Sequence, residues 1–279
     1  MIERNCFKLG LAAVVLGAAT AASATPLVIA GLGANNWTSG DTRNNTGAQA
    51  TQAQIDAQIK FLAEGVIVAD AAGVLPDASP SGSLGGLGYL RLDGTDNNLG
   101  KSDIGYTDLG GIAQASALLS SDFSLSFRHL RDPNPTSRTV GQSISISNGT
   151  VSYTLSYVEA ATGANTWLTS SITATTGGYY LYGAGASGAS GPRLTLSEWA
   201  ATTAWSYLFG DDFDVVRVGF NIGSSSRNGL VYIDWLQTSL LNGGDLIDFA
   251  APTAVPEPQS LILVAAALAG VAVARRRRR

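Results

Sequence analysis

The sequence predicts an all-β protein built as an antiparallel β-sandwich, and three observations support this fold class. Charged residues make up only 14% of the chain and 33 of its 279 residues are glycine, a composition typical of strand-and-turn proteins. From Tyr89 onward, short strand candidates alternate with turn residues. Within them apolar residues alternate with Ser or Thr, as in antiparallel sheets that have one solvated face. We therefore expect one β domain over residues 25–250, since all-β domains commonly exceed 200 residues.

The first 24 residues have the pattern of a secretory signal peptide. Two basic residues precede an apolar run over 9–19. Ala22-Ser23-Ala24 then supplies a small-x-small cleavage site. We expect residues 1–24 to form a signal helix that the secretion machinery recognises and that signal peptidase removes, which leaves Thr25 as the first residue.

The composition of the body excludes several classes of function. Residues 25–255 carry ten basic and nineteen acidic side chains, a formal charge near −9, which disfavours nucleic acid as a partner. The single cysteine, Cys6, lies in the signal peptide, so the body has no disulfide, cysteine zinc site or catalytic thiol. The single histidine, His129, accompanies no Gly-x-Ser-x-Gly motif, and we interpret it as structural.

One short amphipathic helix and a series of strands are expected in the body. Thr51 and Gln54 have capping-box spacing, and apolar residues at helical intervals predict a helix over about 52–64. Asn148-Gly149 favours a hairpin with a type I′ turn. A first strand is expected from Pro26. Further strands are expected at 88–93, 112–119, 122–130, 141–147, 150–158, 166–174, 178–183, 193–197, 214–223 and 229–240.

The strand over 214–223 has the clearest alternation of apolar and polar residues. Val216, Val218, Phe220 and Ile222 are expected to share the face that packs on the core. Arg217 and Asn221 are then expected on the outer face.

Three segments near the end of the body resemble the closing strands of galactose-binding-like jelly-roll carbohydrate-binding modules. They are Leu194-Thr195-Leu196-Ser197-Glu198-Trp199, residues 213–223 and residues 229–236. The resemblance implies a jelly-roll arrangement of the sandwich, a strand at each segment and a carbohydrate ligand. It covers roughly residues 190–240, and the body lacks the cysteine pair of the most familiar modules of this type.

Aromatic residues are the candidate ligand-binding positions, because sugar rings stack on indole and phenol faces. Trp37 lies in an Asn-rich loop, and Trp167 is expected near Tyr179 and Tyr182. We expect these four at the surface, with burial for core volume as the alternative for each. Two further tryptophans, Trp199 and Trp235, are assigned to the core.

Two acidic clusters are candidates for a structural calcium ion, the only cofactor considered. The preferred cluster contains Asp93, Asp96 and Asn98, whose oxygen atoms are ligands that calcium binds. The other cluster is 211–214. Neither has EF-hand spacing, and turn formation through Asx hydrogen bonds is the alternative for both.

No catalytic residue is assigned, and we expect a non-enzymatic protein. The glutamates of the body are Glu64, Glu159 and Glu198, which do not form the paired arrangement that glycosidases commonly use. A structural role in the closing motif is expected for Glu198. A secreted hydrolase that uses aspartates is the alternative.

The C-terminus has three consecutive parts. A linker over 251–258 ends in Pro256-Glu257-Pro258, where the prolines favour an extended, exposed conformation. A segment over 259–274 is expected to form a transmembrane helix, although the 15 residues of its apolar run, 260–274, span only about 22 Å. The positive-inside rule predicts that the tail over 275–279 stays in the cytoplasm. This tail consists of Arg275, Arg276, Arg277, Arg278 and Arg279.

This order of motif, apolar helix and arginine cluster resembles the PEP-CTERM sorting signal of Gram-negative bacteria. The resemblance implies that an exosortase-type membrane protease recognises Pro256-Glu257-Pro258 and removes the tail. The protein would then pass from the inner membrane to the cell surface or to a matrix of exopolysaccharide. The leading hypothesis is a surface or matrix protein that binds polysaccharide. The alternatives are an aspartate-dependent glycan hydrolase and a structural surface protein without a specific ligand.

Overall fold

The computed structural model describes residues 27–44, 47–63, 88–93, 101–131, 140–158, 167–222, 230–244 and 246–249. The predicted signal helix, the linker, the C-terminal apolar segment and the arginine tail lie outside these residues. Within the described ranges, no helix combines the length and the apolar character needed to cross a membrane.

Fourteen described strands form the body, and the all-β prediction is confirmed. In chain order they are β1 (Leu27–Ile29), β2 (Trp37–Ser39), β3 (Ile59–Ala63), β4 (Gly88–Asp93), β5 (Ser102–Thr107), β6 (Ala113–Gln114), β7 (Ser124–Arg131), β8 (Gly141–Ser147), β9 (Ser152–Val158), β10 (Trp167–Thr173), β11 (Tyr179–Tyr182), β12 (Asp214–Ile222), β13 (Leu230–Thr238) and β14 (Leu246–Phe249). Two α-helices accompany them, α1 (Gln52–Gln58) and α2 (Leu196–Ala201). Short 3-10 segments lie at Ala34–Asn36, Ala115–Leu119, Gly188–Ser190, Ser206–Phe209 and Asn242–Gly244.

The strands form two seven-stranded sheets. In sheet I, β13 pairs with β7 on one side and with β4 and β14 on the other. Strand β10 lies beyond β7, β3 beyond β4 and β1 beyond β14. Sheet II has the order β11-β9-β8-β12-β5-β2, with β6 also paired to β12. The β1–β14 pair is parallel, and the other described pairs of strands are antiparallel.

The core lies between the two sheets. Phe127 of sheet I and Phe220 of sheet II have ring centroids 5.3 Å apart, and Phe220 also contacts Phe249 of sheet I. These side chains are almost fully buried in one cluster that contains residues of both sheets. Burying a side chain of this size stabilises the fold by about 1.5–3 kcal/mol, so the sandwich derives its stability from this layer.

A β-bulge in β12 corrects the predicted facing of its valines. The register with β8 shifts between Val215 and Arg217. Because a bulge adds one residue to the strand, Val215 takes the inward position and is fully buried, whereas Val216 is only partly buried. The inward prediction for Val216 was wrong. Arg217 lies on the outer face as expected, since it lines a cleft there.

The predicted helix over 52–64 is a helix followed by a strand. The capping box of Thr51 and Gln54 is present, but α1 ends at Gln58 and β3 pairs with β4 over five residues. Strand β3 places Ile59 against the main core and Leu62 against a second apolar cluster on the opposite face. Lys60 is exposed, but Leu62 on the same face is apolar and packs on the second cluster. The strand therefore lacks a clean period-2 alternation, which is why helical spacing was a misleading guide here.

Three other local predictions also need correction. Residues 112–119, predicted as a strand, contain the two-residue β6 and then a 3-10 segment. Residues 193–197 were also predicted as a strand, but α2 begins at Leu196. The 148–151 hairpin is confirmed, although it is not a type I′ turn. Only Gly149 has positive φ, and the side chain of Asn148 accepts from the backbone N–H groups of Thr150 and Val151.

Candidate functional site

A row of hydroxyl groups covers the outer face of sheet II. Ser143 and Ser145 of β8 point outward, because the isoleucines that alternate with them, Ile144 and Ile146, face the core. Ser143 pairs with Ser156 of β9, and Ser145 pairs with Thr154. The hydroxyl oxygens of Ser145 and Thr154 are 3.1 Å apart. Small polar residues on adjacent strands therefore produce a low surface that is rich in hydrogen-bonding groups.

Two glycines keep the neighbouring part of this face open. Gly105 of β5 lies opposite Gly219 of β12. A Cβ atom on Gly105 would lie 3.0 Å from Cζ of Arg217, because the guanidinium group crosses β5 at this point. The absence of a side chain at Gly105 therefore gives Arg217 the space to reach β2.

Arg217 connects three strands of sheet II. Its guanidinium donates to the carboxylate of Asp103 at 2.5 Å and to the hydroxyl of Thr107 at 2.6 Å, both on β5. It also donates to the backbone carbonyl of Thr38 on β2 at 3.2 Å. The side chains of Arg217 and Asp103 are only 13% and 12% exposed, so this ion pair is largely shielded from water.

Further charged side chains continue from this pair along one wall. Lys101 lies 3.9 Å from the Asp103 carboxylate and 3.1 Å from that of Asp41, which also accepts from Arg43 at 2.9 Å. Burial by itself would raise the pKa of Asp41, but the hydrogen bond from Arg43 and the charge of Lys101 together lower it below its ordinary value. The Asp41 carboxylate is thus held ionised, and the wall places Asp41 and Asp103 beside three cations.

The hydroxyl row and the charged wall enclose a cleft of about 780 Å³. Tyr182 and Asn221 complete its lining, and 40% of the Tyr182 surface is exposed. Volumes of this size are typical of ligand sites, but most such sites are lined by apolar side chains. Here ten of the thirteen lining residues carry a hydroxyl, carboxylate, ammonium or guanidinium group, so the cleft suits a ligand that both donates and accepts many hydrogen bonds.

The predicted surface positions of Trp37 and Tyr179 are wrong, because both side chains are fully buried. Trp37 lies in β2 and packs edge-on against Phe249 at 5.0 Å. The Tyr179 hydroxyl donates to Gln142 at 3.0 Å, and burial raises its pKa well above the ordinary value. The polar residues around Trp37 indicated a loop, but the indole itself supplies core volume.

The other two aromatic candidates lie on different sheets. Tyr182 is at the cleft, whereas Trp167 is on the outer face of sheet I, partly buried beside Tyr89 and 5.3 Å from the Arg128 guanidinium. The structure therefore does not bring the four predicted aromatic residues into one site. Trp199 and Trp235 are buried, which confirms their assignment to the core.

The calcium candidates remain a prediction. Asp93 forms an ion pair with Arg91 at 2.9 Å, whereas Asp96 and Asn98 lie outside the described residues. In the part of the chain that the structure describes, no group of three or more His, Cys, Asp or Glu side chains is arranged to hold a metal ion.

His129 and Glu198 have structural contacts. His129 is fully buried, and its Nε2 lies 3.0 Å from the Ser170 hydroxyl. Glu198 occupies the third position of α2 and accepts from the Thr195 backbone N–H, which together with the Thr195 hydroxyl lowers the Glu198 pKa. The Leu-Ser-x-Trp segment of the jelly-roll resemblance is therefore a capped helix rather than a strand.

Most residues of the cleft were not predicted as site residues from the sequence. The outward position of Arg217 and Asn221 was predicted, but their partners Asp41, Lys101 and Asp103 were not. Strand β5 was not predicted at all, because Ser102-Asp103-Ile104-Gly105 contains two residue types that are depleted in strands. The available signal was the series of small polar residues at alternate positions in β8 and β9, opposite the glycines of β5 and β12.

The fold and cleft define an all-β sandwich protein with a polar groove on one sheet. Residues 254–279 match the family of the PEP-CTERM protein-sorting motif. The chain thus carries the signal of exported proteins that an exosortase-type membrane protein processes, with transient membrane anchoring before surface display. The sorting motif itself, including Pro256, Glu257, Pro258 and the five terminal arginines, lies outside the described residues, as do Ala22, Ala24 and Thr25. No curated protein matches the chain.

We expect the Arg217–Asp103 pair to be important for stability. Among the described residues, Arg217→Met leaves the shielded Asp103 carboxylate with only the longer contact to Lys101, so the free energy of unfolding should fall by about 1–3 kcal/mol. Arg43→Met is the matched control, because the Arg43–Asp41 pair is more exposed and should contribute at most about 1 kcal/mol. Urea denaturation measures the free energy of unfolding of both variants. Equal losses would contradict the larger contribution that is expected from the Arg217–Asp103 pair.

Proposed function

We propose that the body binds polysaccharide in the cleft of sheet II, which makes the protein a non-enzymatic component of the cell surface or extracellular matrix. The observation that carries this proposal is the combination of an open hydroxyl row with a fixed charged wall. Each sugar hydroxyl both donates and accepts a hydrogen bond, and the cleft offers donors such as Lys101 together with acceptors such as Asp41. The sorting signal supports an extracellular location for such a ligand.

The pre-arranged wall favours binding rather than chemistry. Asp41 and Asp103 each have cationic partners within the protein itself, so little side-chain entropy remains to be lost when a ligand binds. A general acid needs a raised pKa, whereas the pKa of Asp41 is lowered. We therefore assign the carboxylates to positioning and hydrogen bonding.

Tyr182 provides the sharpest test of the proposal. Its exposed ring lies at the cleft, where it can stack on a sugar face, so Tyr182→Ala should weaken binding to the best polysaccharide of a glycan array about tenfold, or about 1.4 kcal/mol. Tyr207→Ala is the matched control, because Tyr207 is 47% exposed and does not line the cleft. Affinity is then measured by calorimetry on the exported, processed protein.

The outcomes separate the three functional hypotheses. Equal losses of polysaccharide affinity in Tyr182→Ala and Tyr207→Ala would contradict binding in the cleft. Turnover of a polysaccharide that Asp103→Asn abolishes would support the hydrolase alternative. Absence of any binding, with the protein still recovered in the matrix fraction, would support a structural surface protein.

A further inference from the structure

Strand β10 forms an edge of sheet I that differs from the other edges of the sandwich. Within the described ranges it pairs only with β7, in an unbroken register of seven residues. Its sequence, Trp167 to Thr173, contains no charged residue, proline or glycine. A long uncharged edge strand is a template for pairing with another chain, and natural proteins usually protect such edges.

Each other described edge has one of the usual protections. Strands β1 and β2 have only three residues each, β6 has only two, and β3 carries the exposed Lys60. Strand β11 has four residues, and its Tyr179 exchanges backbone hydrogen bonds of 2.7 and 3.1 Å with Leu194. Natural sheets use such protections to prevent unwanted strand pairing. Among the described edges β10 has none of them, which indicates that this edge is available to pair with another chain.

The backbone of β10 shows which residues face away from β7. The N–H of Thr173 donates to the Thr176 hydroxyl at 2.9 Å, and its carbonyl accepts from the Thr176 N–H. Backbone groups in an antiparallel strand alternate in direction. Ser171, Thr169 and Trp167 therefore also direct their N–H and C=O groups toward the open edge, while Thr173 is already satisfied by the turn.

We propose that two copies of this protein pair through β10 in an antiparallel arrangement around a two-fold axis at Thr169. In this register Thr169 lies opposite Thr169 of the other copy, and Trp167 lies opposite Ser171 of the other copy. All three outward-facing residues then form backbone hydrogen bonds. The two sheets I become one continuous sheet, and each copy presents its sheet II cleft on a separate body.

Charge also favours β10 over other surfaces of the body as the contact between two copies. The body has a formal charge near −9, so two copies repel each other over most orientations. At β10 the neighbouring cation, Arg128, is balanced by Asp234 at 3.2 Å, and the strand itself is neutral. Contact through β10 therefore brings uncharged surfaces together.

A single cysteine tests the register directly. The body contains no cysteine, and opposed residues of a hydrogen-bonded pair have Cα atoms about 5.5 Å apart, within the range for a disulfide. Thr169→Cys in the exported, processed protein should therefore give a covalent dimer under mild oxidation on non-reducing gels. Thr150→Cys, in the exposed turn after β8, is the control and should remain monomeric.

The association itself is tested by sedimentation over a concentration series. Thr169→Pro removes an outward-facing N–H, which an edge strand tolerates, and Thr169→Lys places two like charges across the axis. Both should raise the dimer dissociation constant at least tenfold with little change in melting temperature, whereas Thr169→Val should associate like the natural protein. A natural protein that stays monomeric throughout, or Pro and Lys variants that associate equally well, would overturn the proposal.

Discussion

Trp37→Ala is expected to lower the free energy of unfolding by about 3–5 kcal/mol, the usual cost of removing a large aromatic side chain from a core. The indole is fully buried in β2 and packs edge-on against Phe249 of the opposite sheet. Its removal would leave a cavity between the two sheets. The melting temperature should fall by roughly 2–4 °C for each kcal/mol, measured on the exported, processed protein.

Trp37→Phe is the matched control for this prediction. It keeps a ring against Phe249 and removes the indole Nε1, which is buried without a hydrogen-bond partner among the described residues. Its cost should therefore be much smaller than that of alanine. Because Trp37 does not line the cleft, polysaccharide affinity of the folded fraction should be unchanged. A Trp37→Ala protein of natural stability that has lost only its binding would contradict the buried assignment.

Replacement of Pro256, Glu257 and Pro258 by alanine should abolish removal of the C-terminal tail almost completely. The chain matches the sorting motif over 254–279, and the sequence predicts that the two prolines favour an extended conformation of Glu257, as recognition by another protein requires. Mass spectrometry of membrane fractions should then find the full tail still attached and the protein retained at the inner membrane.

Pro252→Ala is the control for this change, because it alters a proline of the same linker outside the matched residues. It should be processed like the natural protein. Normal processing of the triple alanine variant would show that the motif is not the recognised element, whereas failure of both variants would indicate a general effect on the linker. A host that lacks exosortase should accumulate the same unprocessed form.

The parts of the fold that could be predicted from sequence are those with one buried face. Strands such as β8, β9 and β12 alternate apolar and polar residues, and their positions were predicted to within a few residues. The prediction for β3 failed because Leu62 places an apolar residue on the same face as the exposed Lys60 and so interrupts the alternation. The 193–197 segment failed because Thr195 and Glu198 form a capping box, a local signal that competes with the apolar pattern of a strand.

The cleft illustrates a different limit of sequence analysis. Its charged wall combines β2, the adjoining loop, β5 and β12, whose members are far apart in the chain. Arg217 contacts Thr38, 179 residues away, and no local pattern specifies that contact. Tyr182 was predicted as a binding residue from the sequence. Which residues lie on the same surface as Tyr182 depends on the order of the strands in the sheet, which the sequence pattern does not specify.

The parallel pairing of β1 with β14 sets an order of events during export. Strand β1 begins two residues after the expected signal cleavage site, and within the described ranges its only strand partner is β14, which ends at Phe249. The first strand to leave the membrane must therefore wait for the last strand before its backbone can pair. Only six residues separate Phe249 from the sorting motif, a reach of at most about 25 Å. Completion of this edge of the sheet therefore requires β14 to have left the membrane, and the sorting motif then lies within that distance of the folded body.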